Sequence, residues 1–162
     1  MKMKNLKVLA AVAALGMIAA PSALAVTTNG TGSANIVAPL NLSAGNAGLR
    51  FGDIAPDLSS VGTVAIAAAD GSETCTTVTC FASDRGQASF DVTGFAAATY
   101  TISVPASVTL NGIGGASGES MSATLAGSKA SGTLTSGTDS FTVGGVLTVG
   151  ADQQVGDYSG TF

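Results

Sequence analysis

Apolar side chains in this chain recur at every second position, in short runs cut off by glycine, asparagine or aspartate. Near the end Tyr158, Gly160 and Phe162 fall on one face while Ser159 and Thr161 fall on the other. Ala88, Phe90 and Val92 alternate in the same way with Ser89, Asp91 and Thr93. Only an extended backbone sends successive side chains to opposite faces, so the pattern asks for strands with one buried face. Beyond residue 25 no stretch keeps a capped i, i+3, i+4, i+7 apolar spacing, and helical folds are thereby excluded.

The stretch Phe141–Phe162 reads as two short strands and the opening of a third. Gly144-Gly145 interrupts the first alternation, and residues 150–154 supply a polar turn. Earlier, Ala34, Ile36, Ala38, Leu40 and Leu42 alternate with Asn35, Val37, Pro39 and Asn41. Pro39 offers no ladder donor, which confines that strand to an edge or a bulge. Further strands are predicted at 49–51, 62–66, 88–92, 100–104, 108–110 and 121–125, with Asp70-Gly71 as a strong turn signal between two of them. Residues 112–120 and 127–140 read as glycine-serine and polar connections. Eight or nine short strands divided by turns imply an all-β, antiparallel, immunoglobulin-like β-sandwich.

The first 25 residues stand apart. Lys2, Lys4 and Lys7 precede the apolar run Val8–Ala20, and Ala23-Leu24-Ala25 has the form of a cleavage site. About 13 apolar residues fall short of the ~20 that span a bilayer as a helix. Residues 1–25 are therefore read as a signal peptide, 26–33 as a flexible lead, and 34–162 as one sandwich domain. The processed protein is expected in the periplasm, at the cell surface or outside the cell, with no membrane insertion after cleavage. A transmembrane barrel is disfavoured because it needs aromatic girdles, and the chain has no Trp and two Tyr.

Processing removes three of the six basic residues. Arg50, Arg85 and Lys129 then face ten acidic residues, a net charge of −7. Thinly spread negative charge argues against nucleic acid as a partner. The acidic residues form no D-x-D-x-D loop of the calcium-binding kind.

Catalytic chemistry has little to work with. The chain contains no histidine, which removes Ser-His-Asp and Cys-His arrangements and the usual zinc sites. Ser128 and Lys129 are neighbours, and neighbours on a strand point to opposite faces. The glycines of 112–118 lack the G-K-[ST] ending and following helix of a phosphate loop. Phe51, Phe90, Tyr100, Phe141 and Tyr158 sit at inward-alternating positions and read as core. The expectation is a non-enzymatic protein without cofactor or metal.

Cys75 and Cys80 are the chain's two cysteines. In an exported protein such a pair is most simply a disulfide. The Cα atoms must come within ~7 Å, whereas five extended residues span roughly 16 Å. Residues 76–79 must therefore reverse.

A resemblance runs through these same strands. Ile36-Val37-Ala38-Pro39-Leu40, Leu49-Arg50-Phe51-Gly52-Asp53-Ile54 and Gly62-Thr63-Val64 resemble the bacterial domain-of-unknown-function family DUF4402. So do Phe90-Asp91-Val92-Thr93-Gly94 and Tyr100-Thr101-Ile102-Ser103-Val104-Pro105. The likeness is densest in Phe141-Thr142-Val143-Gly144-Gly145 and in Gly156-Asp157-Tyr158-Ser159-Gly160-Thr161-Phe162. The order of motifs is also similar to the spore-coat-U type of archaic chaperone–usher pilins. The family's G-T-F run usually leads into a further V-T-V strand, so the sandwich is expected here without its last strand.

The resemblance implies an exported β-sandwich that serves as a structural subunit of a surface fibre or coat. Its partners would be further copies of itself and a periplasmic chaperone and usher. Ile36, Ala38, Leu40 and Leu42 form the candidate face of a donor strand, and the same residues equally suit the domain's own first strand. The alternative function is a periplasmic or extracellular module that binds carbohydrate or another surface. The leader yields a direct expectation: the intact mass of exported protein corresponds to a chain beginning at Val26. Recovery of the uncleaved chain from periplasm or medium would overturn the assignment.

Overall fold

The structure, a computed structural model, describes residues 33–162 except 36, 38 and 47. The signal-peptide assignment, most of the lead, and the candidate donor residues Ile36 and Ala38 lie outside the described residues. In chain order the strands are β1 (Asn41–Ala44), β2 (Ile54–Ala55), β3 (Gly62–Ile66), β4 (Glu73–Thr76), β5 (Thr79–Cys80) and β6 (Ala88–Thr93). They continue with β7 (Thr99–Thr101), β8 (Ser107–Ile113), β9 (Ser120–Gly127), β10 (Ser131–Thr133), β11 (Thr138–Val149) and β12 (Asp157–Ser159). The described helical content is a 3₁₀ turn at Gly114–Ala116. All strand pairs are antiparallel, and the molecule is all-β as the alternation predicts.

One eight-stranded sheet carries the order β1-β6-β11-β9-β8-β12, with β3 also on β11 and β4 on β3. Two short ladders, β2–β5 and β7–β10, stand apart from it. Their apolar residues pack on the large sheet in a sandwich-like arrangement. Ile54 and Cys80 lie against the core of Phe51, Val64, Ile66, Ala123, Leu147 and Val149. Tyr100 lies against a second core of Ala88, Val92, Leu134, Phe141 and Val143.

Strand β11 joins the two cores. Phe141, Val143, Leu147 and Val149 point inward, while Ser140, Val146 and Thr148 are exposed. Its first half pairs with β6, ending at Val143 opposite Ala88. Its second half pairs with β3, beginning at Gly145 opposite Ile66. Along the other edge β9 follows it from Val143 to Thr148. Gly144-Gly145, expected to interrupt the alternation, lies inside one strand of 12 residues. The reason is space rather than flexibility. A side chain at 144 would strike the backbone of Ile66–Ala68, where the chain turns away after β3, and one at 145 would strike the Thr124 carbonyl and Leu125.

Three other expectations change. Pairing in the first strand starts at Asn41, opposite Thr93, the last residue of β6. The described residues of 33–40 have no strand to pair with, and Pro39 could not donate to one. The segment 49–51 is a bridge rather than a strand: Arg50 and Gly86 exchange both backbone hydrogen bonds, at 2.9 and 3.0 Å. Gly52 then turns away at φ +72°. The region 127–140, expected to be a polar connection, holds β10 and the fully buried Leu134.

Cys75 and Cys80 form a disulfide with Cα atoms 6.4 Å apart. Residues between them reverse as the distance argument demands, with Thr77 at φ 65°. Cys75 belongs to β4 of the large sheet and Cys80 to β5 of a small ladder, so the bond fastens one layer to the other. Both residues pack against the first core. Replacing both by Ser is expected to lower unfolding free energy by about 2 kcal/mol, because the closed loop is short. Urea denaturation of the double variant measures this. Free alkylation of both thiols in oxidised wild-type protein would contradict the bond itself.

Candidate functional site

The open part of the sandwich lies between β1 and β7. Directly opposed residues on paired strands share a face. Leu42 is opposite Val92, and Ala44 is opposite Phe90. Val92 is 4 % exposed, so Leu42 shares the core-facing side, yet it is 59 % exposed. Leu40, just before β1, is 49 % exposed. Nothing described covers them. A groove of about 300 Å³ results, with Leu40–Leu42 on one lip, Tyr100–Ser103 on the other, and Val92 and Phe141 beneath. Phe90 stacks on Phe141 with ring centroids 5.1 Å apart, and Phe162 meets Phe90 edge-on at 6.4 Å.

Among the described residues the β7 lip also leaves one hydrogen-bonding edge unused. Among the described strands β7 pairs with β10 alone. Ile102 N–H donates to the Ala130 carbonyl at 2.8 Å, and Leu134 N–H donates to the Ala98 carbonyl at 2.9 Å. In an antiparallel ladder alternate residues turn their N–H and C=O groups to the same neighbour. Residues 98, 100 and 102 thus face β10, while Thr99, Thr101 and Ser103 turn theirs the other way.

A polar clasp holds this lip in place. The Tyr100 hydroxyl donates to Asp139 Oδ2 at 2.8 Å, and Lys129 Nζ lies 2.7 Å from each Asp139 carboxylate oxygen. Gly132 sits opposite Tyr100 in the β7–β10 ladder, and a side chain there would strike both the phenol and the carboxylate. The three groups tie β7, the link between β9 and β10, and β11 together. Lys129 first, then Tyr100, hold the Asp139 carboxyl down at about 2. Hydrogen bonding to Asp139 raises Lys129. Partial burial, and next the bond to the carboxylate, raise Tyr100. A depressed acid beside a raised amine is a stable ion pair, with little tendency to exchange a proton near neutrality.

The expected site residues are distributed unevenly. Leu42 pairs within its own chain through β1, and Leu40 stands at the groove's lip. Ser128 and Lys129 are not brought together for chemistry: Ser128 Oγ accepts from the Thr142 amide at 3.0 Å, while Lys129 turns to Asp139. Sequence reading missed the Lys129–Asp139 pair, since no pattern marks a partner ten residues along. It also missed the unused edge of β7, because alternation reveals a strand's faces and not its neighbours. Among the described residues no group of three His, Cys, Asp or Glu side chains gathers to hold a metal. No described helix is long and apolar enough to cross a membrane.

Fold and groove together define an all-β domain of antiparallel strands, stapled by one disulfide and open along one apolar edge. The family is equally plain: the model named Domain of unknown function (DUF4402) matches residues 40–162, and the chain belongs to that family. No curated protein and no solved structure matches it. The disulfide is compatible with an exported protein.

The clasp makes a pH prediction. Asp139 has a folded value below its unfolded one, near 3.9, so its contribution is complete above the unfolded value. It is lost as pH falls toward about 2. Asp139→Asn should therefore melt below wild type at pH 7, with the gap closing between about pH 4 and pH 2. Thermal melts across that range test this, and a gap independent of pH would show that the carboxylate's charge contributes nothing.

Proposed function

We propose that this protein is an exported, non-enzymatic structural subunit that joins copies of itself into a surface fibre or coat. The observation that carries this reading is the pairing of an unused β7 edge with core-facing Leu40 and Leu42 left exposed. Backbone groups of a free edge and an apolar channel beside it are what an added strand requires. The ladder supplies affinity, and alternate side chains supply fit. In sequence the segment before Leu40 suits the role, with Ala34, Ile36 and Ala38 at alternate positions. On this reading Leu40 and Leu42 serve their own domain and the residues before them serve a neighbour. A periplasmic chaperone would shield the groove before assembly, and an usher would deliver subunits to the surface.

Thr101→Pro tests the reading. It removes an N–H that faces the groove and none that β10 uses, so the domain should keep its own ladder. Full-length wild-type protein is expected to form a ladder of oligomers on unboiled gels and to sediment as oligomers. The Thr101→Pro protein should sediment as a folded monomer, with a near-ultraviolet spectrum like that of wild type. Wild-type protein that stays monomeric at every concentration would overturn the proposal. So would a Thr101→Pro protein that polymerises as wild type does.

A further inference from the structure

A second cavity, remote in sequence from the β7 lip, has a different character. It encloses about 490 Å³ between the segment leading to β2, the strands β8, β9 and β11, and the turn from β11 into β12. That volume falls in the range of small-molecule sites. Its floor is apolar, made by Phe51, Leu110, Met121 and Leu147. Leu147 is almost fully buried, while Leu110 and Met121 are only partly covered by the first core. These two are core-facing side chains with room still in front of them.

The wall formed by the turn is fixed. Gln153 Nε2 donates to the Tyr158 hydroxyl at 2.9 Å, and that hydroxyl donates to the Gln154 carbonyl at 2.7 Å. Asp152 N–H donates to the Asp57 carbonyl at 2.9 Å, tying the turn to the loop after β2. Preformed walls of this kind reduce the ordering cost of binding a small ligand.

The rim selects the class of ligand. Its one cation, Arg50, is already engaged: Nε is 2.9 Å from Asp84 Oδ2, and the guanidinium donates to the Gly48 carbonyl at 2.8 Å. An anion would therefore meet no free positive charge, and it would meet Asp53 and Asp157 instead. The carboxylates of Asp53 and Asp157 and the side chains of Gln153 and Gln154 come from two separate segments of the lining. Acceptors spread around an apolar floor suit a ligand with several hydroxyl donors and a face of C–H groups. A compact ammonium would be served by acceptors converging on one point. We infer that this cavity is a binding site for a neutral saccharide unit. It is a site separate from the strand-accepting groove, and the inference does not depend on that reading.

The test is a titration of the full-length protein with glucose, galactose, mannose, N-acetylglucosamine, maltose and cellobiose, followed by protein-observed NMR. Spermidine and glucose 6-phosphate serve as the cationic and anionic probes. At least one neutral sugar should bind saturably and shift the Tyr158 ring resonances. Leu110→Trp, which fills the floor, should weaken that binding about tenfold or more, and so should Gln153→Ala on the rim, where refolding of the core is not at issue. Thr101→Pro should leave sugar binding unchanged, which separates this site from the groove. The inference fails if none of the six sugars binds or if spermidine binds more tightly than all of them. It fails equally if Gln153→Ala binds as wild type does.

Discussion

The fold depends on the ladder along β11. This one strand is bonded on both edges, to β9 on one side and to β6 and then β3 on the other. It also sends inward residues into both apolar clusters. Without it, β3 and β6 would have no common neighbour. The close approach at Gly144 lets two different strands share one edge, since only a residue without a side chain leaves room for the crossing backbone. The strand's outward face is a row of small or polar residues broken by Val146, while the inward face carries Asp139 at its start and is apolar from Phe141 onward. The sheet is therefore specified by register, because a slip of one residue would exchange those faces.

Around that spine, stabilisation is uneven. The first core is closed by a layer-crossing disulfide between β4 and β5. The second has no such bond. It has instead the Lys129–Asp139–Tyr100 clasp, a polar fastening at the margin of an apolar cluster. The open groove lies on this second, less constrained side. The two halves of the domain thus differ in how their opposing layers are fixed, covalently in one and electrostatically in the other.

Much of the architecture was legible in alternation. The runs at 62–66, 88–92, 108–110 and 121–125 lie in strands, and the absence of helical spacing left only a 3₁₀ turn among the described residues. The reversal between the cysteines followed from distance alone. Where reading failed, the cause was tertiary. Gly144-Gly145 looks like a break because glycine usually weakens a strand, and the crossing chain that requires it comes from β3, far earlier in sequence. Leu134 is a lone apolar residue in a polar stretch, so nothing in its neighbourhood marks it as fully buried. The segment 34–40 has a strand's pattern but no described ladder, since β6 ends where Asn41 begins to pair. Of the candidate site, the apolar lip at Leu40 and Leu42 was visible as a face. The free β7 edge, the clasp and the cavity all depend on which segments become neighbours.

The position of β11 in the chain has a kinetic consequence. Gly62 of β3 pairs with Val149, and Ala88 of β6 pairs with Val143, so the earlier strands find their common neighbour only much further along the polypeptide. Contacts this distant require loop closure before any ladder bond forms, which places such a topology among slow folders. A chain emerging from its N-terminus cannot collapse prematurely into this structure, for the organising strand has yet to appear. It means that the facing edges of β3 and β6 stay unpaired until β11 has been made.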